Sequence, residues 1–264
     1  MSEVFSVKRF LLLFKKIIAE RPIQTFGVSL LLLLLSFILY VVVKKLVGFG
    51  PAQNLTFIWG LAGGSCFLSS FVFGYFGNNA SGSSYLTLPA SFLEKWLCGI
   101  IIAGILYPVI FLLFYHVMDV AFITAFHNSL DKTSLFYKEQ YESVYVFDLN
   151  GIVAWKVYAL FLQLTGAMLT GSLYFNKIPF IKTAIATCII FLLVFGINWL
   201  FAISFFHDVN DAGPYDHVTL SVGKQSGTLI LPTNIENAFH IAIAFLIPLL
   251  FWLLPMLRLR EKEF

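Results

Sequence analysis

Long apolar segments alternate with short polar segments along this chain. A helix needs about twenty consecutive apolar residues to cross the roughly 30 Å hydrocarbon core of a membrane. Six segments reach this length, at residues 24–47, 55–77, 93–117, 152–175, 181–206 and 238–257, and the apolar character of the third continues to Phe126. The pattern therefore predicts an all-α integral membrane protein with six transmembrane helices, in a domain at 23–264.

Residues 1–22 show an apolar stripe with mainly basic residues opposite it. The apolar positions at helical spacing are Val7, Phe10, Leu11, Phe14, Ile17 and Ile18, and the polar positions are Lys8, Arg9, Lys15, Lys16 and Glu20. A basic amphipathic helix ahead of a membrane span is expected to lie in the headgroup layer, with its cations over anionic lipid. Pro22 lacks the N–H that an interior helical residue donates, so we expect it to end this interfacial helix.

Residues 207–237 form a polar segment ahead of the sixth span. Alternating residues at 218–222 and an apolar run at 228–231 flank a Gly-bearing turn at 223–227. Two such runs around a glycine turn are typical of a β-hairpin. The sequence thus adds a small β-hairpin to the helical architecture.

The composition agrees with a membrane protein. The chain is 59% hydrophobic and 12% charged, whereas soluble domains are about 25% charged. The net charge of +3 gives no indication of nucleic acid binding. Cys66, Cys98 and Cys188 are isolated within apolar segments, so we expect small packing residues rather than a disulfide framework or a metal site.

Basic residues indicate which side of the membrane each segment faces, because cytoplasmic flanks are enriched in Lys and Arg. The flanks before the first span and after the sixth are basic, and the turn at 176–180 carries Lys177. Lys44 and Lys45 oppose this assignment. We expect both termini, residues 78–92 and the 176–180 turn in the cytoplasm, and residues 127–150 and the hairpin outside.

Small residues form one stripe of the second span. Gly60 and Gly64 are four residues apart, and Gly63 lies beside them. Small residues let two helix backbones approach closely, which is how helices gain packing energy in lipid. The stripe predicts a helix-packing contact, either within the chain or between two copies of it.

The loop between the second and third spans begins with small polar residues and then becomes apolar. Ser91 and Glu94 fit the S-x-x-E capping box, in which each side chain accepts a hydrogen bond from the other residue's backbone N–H. We expect Lys95 to extend toward the headgroups and Trp96 to lie at the interface. The apolar patch ahead of the cap consists of Leu86, Leu88 and Pro89. It predicts contact with the membrane surface or docking on another protein, whereas an ordinary capped turn needs no partner.

The segment Tyr85-Leu86-Thr87-Leu88-Pro89-Ala90-Ser91-Phe92-Leu93-Glu94-Lys95 resembles the Leu-Pro-x-Ser-x-x-Glu-Lys loop of type-2 ABC exporter permeases, particularly those of Bacteroidota. The six-span plan, the length and the amphipathic amino-terminal segment are similar as well. The resemblance implies a permease subunit of the bacterial inner membrane that pairs with a second copy or a homologous permease. A separate cytoplasmic ATP-binding cassette ATPase would bind the ATP, so this chain would carry no cofactor of its own.

By this resemblance, residues 4–20 and 83–95 would form the surface on which the ATPase docks. The docking residues would be Tyr85, Leu86, Leu88, Pro89, Ser91, Glu94 and Lys95. The predicted hairpin departs from the family, whose members often carry a helical re-entrant pair before the last span.

Motifs for chemistry within this chain are missing from the sequence. The pattern G-x-x-x-x-G-K-[ST] does not occur, so we expect no P-loop. The spans hold almost no deep charge of the kind that couples proton- or sodium-driven carriers. The polar residues His207, Asp208, Asp211, Asp216 and His217 match no metal-binding spacing.

Two other functions remain as alternatives. A membrane-embedded enzyme would draw on His116, Asp119 and His127, although the position of His116 and Asp119 near the end of the third span favours solvation at the interface. A non-transporting membrane scaffold would tolerate substitutions at Leu88, Pro89 and Glu94 that leave folding intact.

Overall fold

The computed structural model describes residues 5–20, 22–77, 79–175, 177–206, 209–213, 217–222, 225–230 and 232–262. This part of the chain is mostly helical. The helices are α1 (Val7–Glu20), α2 (Val28–Leu46), α3 (Phe49–Val72), α4 (Asn79–Leu86), α5 (Phe92–Ser129), α6 (Tyr137–Glu142), α7 (Ile152–Tyr174), α8 (Pro179–Phe205), α9 (Thr233–Ile241) and α10 (Ala242–Glu261). The strands are β1 (Val209–Ala212), β2 (His217–Val222) and β3 (Gln225–Ile230).

Six helices within the described ranges are long and apolar enough to cross a membrane, namely α2, α3, α5, α7, α8 and α10. The six predicted spans are thus confirmed as helices. Helix α7 packs against α3, α8 and α10, which places it at the centre of the bundle. Of the apolar stretch of α3, 61% is buried, against 6% of that of α8. The molecule therefore has a packed side around α3 and α7 and an open side along α8.

Two helices are longer than predicted. Helix α3 begins at Phe49 rather than at residue 55, because Pro51 falls in the first helical turn, where a missing N–H does no harm. Gly48, with φ of 115°, makes the break before it. Helix α5 continues to Ser129, beyond the predicted end at residue 117.

Four short π-helical segments accompany the spans. They are Ile23–Gly27, Ile58–Gly63, Ile101–Leu106 and Ala242–Leu246. Such segments loosen the regular backbone ladder and are frequent at functional sites. The carbonyls of Gly60 and Ile243, which lie in two of them, accept side-chain hydrogen bonds from Tyr107 and Gln163 of neighbouring helices.

The polar segment ahead of α9 contains a three-stranded antiparallel sheet in the order β1-β2-β3. The predicted hairpin is confirmed as β2 and β3, paired from His217↔Ile230 to Val222↔Gln225. The third strand, β1, was not predicted, since its four residues Val-Asn-Asp-Ala carry no alternating pattern. The amide of Asn198 in α8 donates to the carbonyl of Ala212, 3.1 Å away, and ties β1 to the bundle.

Side-chain contacts define two ends of the bundle. At the end that we call the α1 end, α1 packs on the start of α5, and Lys95 of α5 bonds the end of α4. The Arg258 guanidinium there lies 4.8 Å from the ring of Tyr174. The opposite end, the strap end, holds the start of α3 and the last turns of α5. Residues 144–149, which we call the strap, lie there without helix or strand.

Candidate functional site

The predicted docking loop is partly helical, since α4 occupies Asn79–Leu86 and a short turn follows before α5. Residue 78 of the predicted loop lies outside the described residues. Tyr85 anchors α4, because its ring stacks on Tyr75 at 4.6 Å between centroids and meets Phe76 edge-on at 5.8 Å. Tyr85 is consequently buried rather than presented to a partner.

The predicted capping box at the start of α5 is confirmed. The Ser91 hydroxyl accepts from the backbone N–H of Glu94 at 3.3 Å, and Glu94 Oε2 accepts from the backbone N–H of Ser91 at 3.0 Å. The two bonds satisfy N–H groups that a helix start otherwise leaves without partners.

Glu94 also binds α1, which no local sequence pattern indicated. Its Oε1 accepts from the backbone N–H of Ser6 at 2.8 Å and from Arg9 Nη2 at 3.1 Å. The Glu94 side chain is 0% exposed, so a buried carboxylate joins α1, the loop and α5. At the other end of α1, the hydroxyl of Tyr75 makes a longer contact of 3.4 Å with Glu20 Oε2.

Lys95 differs from its predicted position at the membrane surface. Lys95 is fully buried, and its Nζ donates to the carbonyl of Leu86 at 3.0 Å. The end of α4 thus supplies the partner that the headgroups were expected to supply. The indole of Trp96 is half-buried and donates to the backbone carbonyl of Trp252 at 2.8 Å, which links the start of α5 to α10.

The predicted docking residues therefore separate into two groups. Tyr85, Ser91, Glu94 and Lys95 are buried and hold the loop together. Leu86 and Leu88 are half-buried against the apolar core, and Pro89 is exposed. Among the loop residues whose exposure is described, Ser83, Ser84, Thr87 and Pro89 are exposed, and Leu86 and Leu88 are partly so.

The glycine stripe of α3 lies against α5. A Cβ at Gly60 would overlap the ring of Phe111, and a Cβ at Gly64 would overlap the hydroxyl of Tyr107. That hydroxyl donates to the carbonyl of Gly60 at 2.8 Å. Gly63 faces a different neighbour, the indole of Trp59 one turn earlier. Gly60 and Gly64 thus allow a close contact between α3 and α5 within the chain.

Asp119 is not solvated, contrary to the interpretation that its position near a span end favoured. Its carboxylate is fully buried at the strap end and accepts from the Tyr40 hydroxyl at 2.7 Å and from Gln53 Nε2 at 3.0 and 3.1 Å. It also accepts from the backbone N–H of Phe147 at 2.8 Å. The partners of Asp119 come from α2, α3 and the strap. These segments are distant in sequence, so the apolar residues around Asp119 gave no indication of them.

The residues suggested for an enzyme differ in their surroundings. His116 is exposed, while Asp119 is buried, and His127 bonds through Nε2 to the carbonyl of Val144 at 3.0 Å. Among the described residues, no group of three His, Cys, Asp or Glu side chains could hold a metal ion. His207, Asp208 and Asp216 of the polar cluster in the sequence lie outside the described residues.

A cavity of about 310 Å³ lies between α2, α3, α7 and α8. Its lining is almost entirely apolar and includes Cys66 and Cys188. Leu31, Leu35 and Cys188 are exposed at its rim, so the cavity opens to the side of the bundle. All three cysteines are free thiols, Cys98 being buried elsewhere.

Comparison with protein-family models, with curated proteins and with solved structures finds no match for this chain. Similarity therefore assigns no family. The arguments that follow rest on the loop motif, on the six spans and on the contacts described above.

Proposed function

We propose that this chain is the membrane permease subunit of a type-2-like ABC exporter, driven by a separate cytoplasmic ATPase. In this proposal the α1 end faces the cytoplasm, in the inner membrane of a bacterium. Two six-span halves would form the transport unit and move substrate by alternating access.

One observation carries the proposal: the amphipathic helix and the loop after the second span form a single unit. Glu94 binds both Ser6 and Arg9 at the start of α1 and Ser91 at the start of α5. A partner that pushes on the exposed loop residues would therefore displace α1 and α5 together. Such a rigid connection suits a surface that must transmit the movement of an ATPase to the spans.

The open side of the bundle supports a second permease copy. Residues 188–197 of α8 are exposed on every face. Helix α8 packs against α7, but only 6% of its apolar stretch is buried, so most of its surface is left for lipid or for a second copy. We propose α8 as the principal surface for the second half of the transporter.

The side cavity supports an amphipathic or lipid-like cargo. Its volume of about 310 Å³ is at the lower limit of small-molecule sites, which are about 300–1,000 Å³ and mostly apolar. The lining offers almost no hydrogen-bonding groups, so an apolar chain fits it better than a polar solute.

Purification in a mild detergent from the native host, followed by mass spectrometry of bound proteins, tests the proposal. We expect an ATP-binding cassette protein to co-purify. The double variant Thr87→Asp and Pro89→Asp should release it, because both residues are exposed and the new charges face the partner. Leu88→Asp should release it as well, but Leu88 packs against the core, so its folding must be checked by thermal unfolding.

Leu135→Asp is the matched control. Leu135 is 98% exposed between α5 and α6, at the opposite end of the bundle, so the same charge there should leave the partner bound. The proposal would be overturned if the chain purified with no nucleotide-binding protein bound. It would also be overturned if the ATPase stayed bound to the loop variants. A substitution of Glu94 does not distinguish the permease from the scaffold alternative, because loss of this buried carboxylate would disturb folding in either case.

A further inference from the structure

The strap, residues 144–149, has no backbone ladder of its own and is held by side chains of three helices. Its carbonyl groups at Val144, Tyr145 and Leu149 accept from His127, Gln53 and Tyr158, and its N–H at Phe147 donates to Asp119. The four distances are 3.0, 2.9, 3.1 and 2.8 Å. The side chains that hold these backbone groups come from α3, α5 and α7.

The side chain of Phe147 packs against α3 and α5. Its ring lies 4.7 Å from that of Phe57 and 5.6 Å from that of Tyr115, in an edge-on contact with the latter. Phe57 is 0% exposed and Tyr115 is 1% exposed. Phe147 therefore covers a column of aromatic rings that continues down α5 through Phe111 and Tyr107.

Asp119 is the centre of this closure, because it connects the strap to two spans. The same carboxylate that binds the Phe147 N–H accepts from Tyr40 of α2 and Gln53 of α3. Gln53 reaches the strap a second time, through the carbonyl of Tyr145. The hydroxyl of Tyr115 donates to the Gln53 backbone carbonyl at 3.1 Å and fixes α3 against α5.

We propose that the strap is the outer gate of the permease, closed here by Asp119 and Phe147, and that it leaves Asp119 when the outer end of the bundle opens. This inference rests on the proposed function, which makes the strap end the outer end. A side-chain-held segment suits a gate, because it can detach as a unit without unfolding any helix or strand. If α2 separated from α3, Tyr40 and Gln53 could no longer both donate to Asp119. The carboxylate would then be less firmly positioned, and its bond to the Phe147 N–H would weaken.

Hydrogen exchange at the Phe147 amide is a direct measurement of closure. Three groups donate to the Asp119 carboxylate, from Tyr40, Gln53 and Phe147. Asp119→Asn leaves one acceptor oxygen for them and turns an NH2 group toward the donors that this oxygen does not bind. We expect exchange at Phe147 to accelerate at least about tenfold, because a hydrogen bond to a carboxylate is stronger than one to a neutral group. Unchanged exchange in a folded Asp119→Asn protein would overturn the role of Asp119.

Asp131→Asn is the matched control, because Asp131 lies between α5 and α7, as the strap does. Asp131 is exposed and accepts from the N–H and hydroxyl of Thr133, which lower the pKa of Asp131. Its substitution should leave exchange at Phe147 unchanged. Should Asp119→Asn fail to fold, Tyr158→Phe removes only the bond to Leu149 and should accelerate strap exchange by a smaller factor, roughly two- to fivefold.

Nucleotide dependence separates a gate from a fixed clamp. In the complex with the co-purified ATPase, ATP with vanadate should accelerate exchange at Phe147 relative to the nucleotide-free complex. An ATPase that binds, with exchange at Phe147 independent of nucleotide, would overturn the gate and leave the proposed function standing. Absence of any ATPase would overturn the proposed function and the gate with it, whereas the Asp119 comparison would still report what holds the strap.

Discussion

Glu94→Gln tests whether one buried carboxylate holds α1 to the rest of the molecule. Glu94 accepts hydrogen bonds from the backbone N–H groups of Ser6 and Ser91 and from Arg9. Glutamine keeps one acceptor oxygen and turns an NH2 group toward at least one of these donors. A hydrogen bond to a charged group contributes about 1.5–3 kcal/mol, and a buried group left without a partner costs about 1–3 kcal/mol. The Arg9 side chain is 31% exposed, so solvent screens its part of the interaction.

With that discount we expect the release of α1 to become easier by about 2–3 kcal/mol. Hydrogen exchange of the α1 amides in lipid nanodiscs reports this release, and the expected change corresponds to roughly 30- to 160-fold faster exchange. Glu139→Gln is the control, because Glu139 is exposed on α6 at the strap end. Exchange in α1 within about twofold of the unmodified protein would refute the assignment of Glu94 as the anchor of α1.

Two further predictions concern packing between the spans. Gly64→Ala should lower the melting temperature, because the new Cβ displaces the Tyr107 hydroxyl from the Gly60 carbonyl, at a cost of about 1–3 kcal/mol. Gly196→Ala should not, since nothing lies within 4 Å of a Cβ there, and equal melting temperatures would contradict the close contact of α3 with α5. Trp252→Phe should lower the free energy of unfolding by about 1–3 kcal/mol, because it removes the indole N–H that bonds the Leu162 carbonyl at 2.8 Å and the ring atoms that pack against Gly104. Trp155→Phe, at a 62% exposed site, should have no effect.

Local patterns predicted the parts of this fold that depend on neighbouring residues. The six spans follow from runs of apolar residues, and the β2–β3 hairpin follows from two runs around a glycine turn. The Ser91–Glu94 capping box was predictable because its two members are three residues apart. The bounds were less accurate, since Pro51 within a helical first turn looks the same in sequence as Pro51 in a loop.

Contacts between distant segments were not predictable in this way. Ser6 and Glu94 are 88 positions apart, and Gln53 and Asp119 are 66 positions apart. A carboxylate at a span end looks the same in sequence whether water or the protein surrounds it, so Asp119 was assigned to the interface. Lys95 was misplaced for the same reason, because its partner is a backbone carbonyl, which every residue carries. The strand β1 could not be predicted from its own residues, because its pairing with β2 determines that it is a strand.

Among the described residues, the two buried carboxylates, Glu94 and Asp119, lie on one helix and so connect the two ends of the molecule. Glu94 lies in the first turn of α5, and Asp119 lies about 37 Å farther along it by the rise of an α-helix. Each binds the backbone N–H of a segment outside the bundle, at Ser6 just before α1 or at Phe147 of the strap. A buried charge is a weak source of stability but can specify one arrangement of its partners. Between them, the hydroxyls of Tyr107 and Tyr115 bond α5 to carbonyls of α3. In the proposed exporter, a push on α1 would therefore move α3 and α5 as a pair, and opening of the strap end would require the Tyr40 hydroxyl of α2 to leave Asp119.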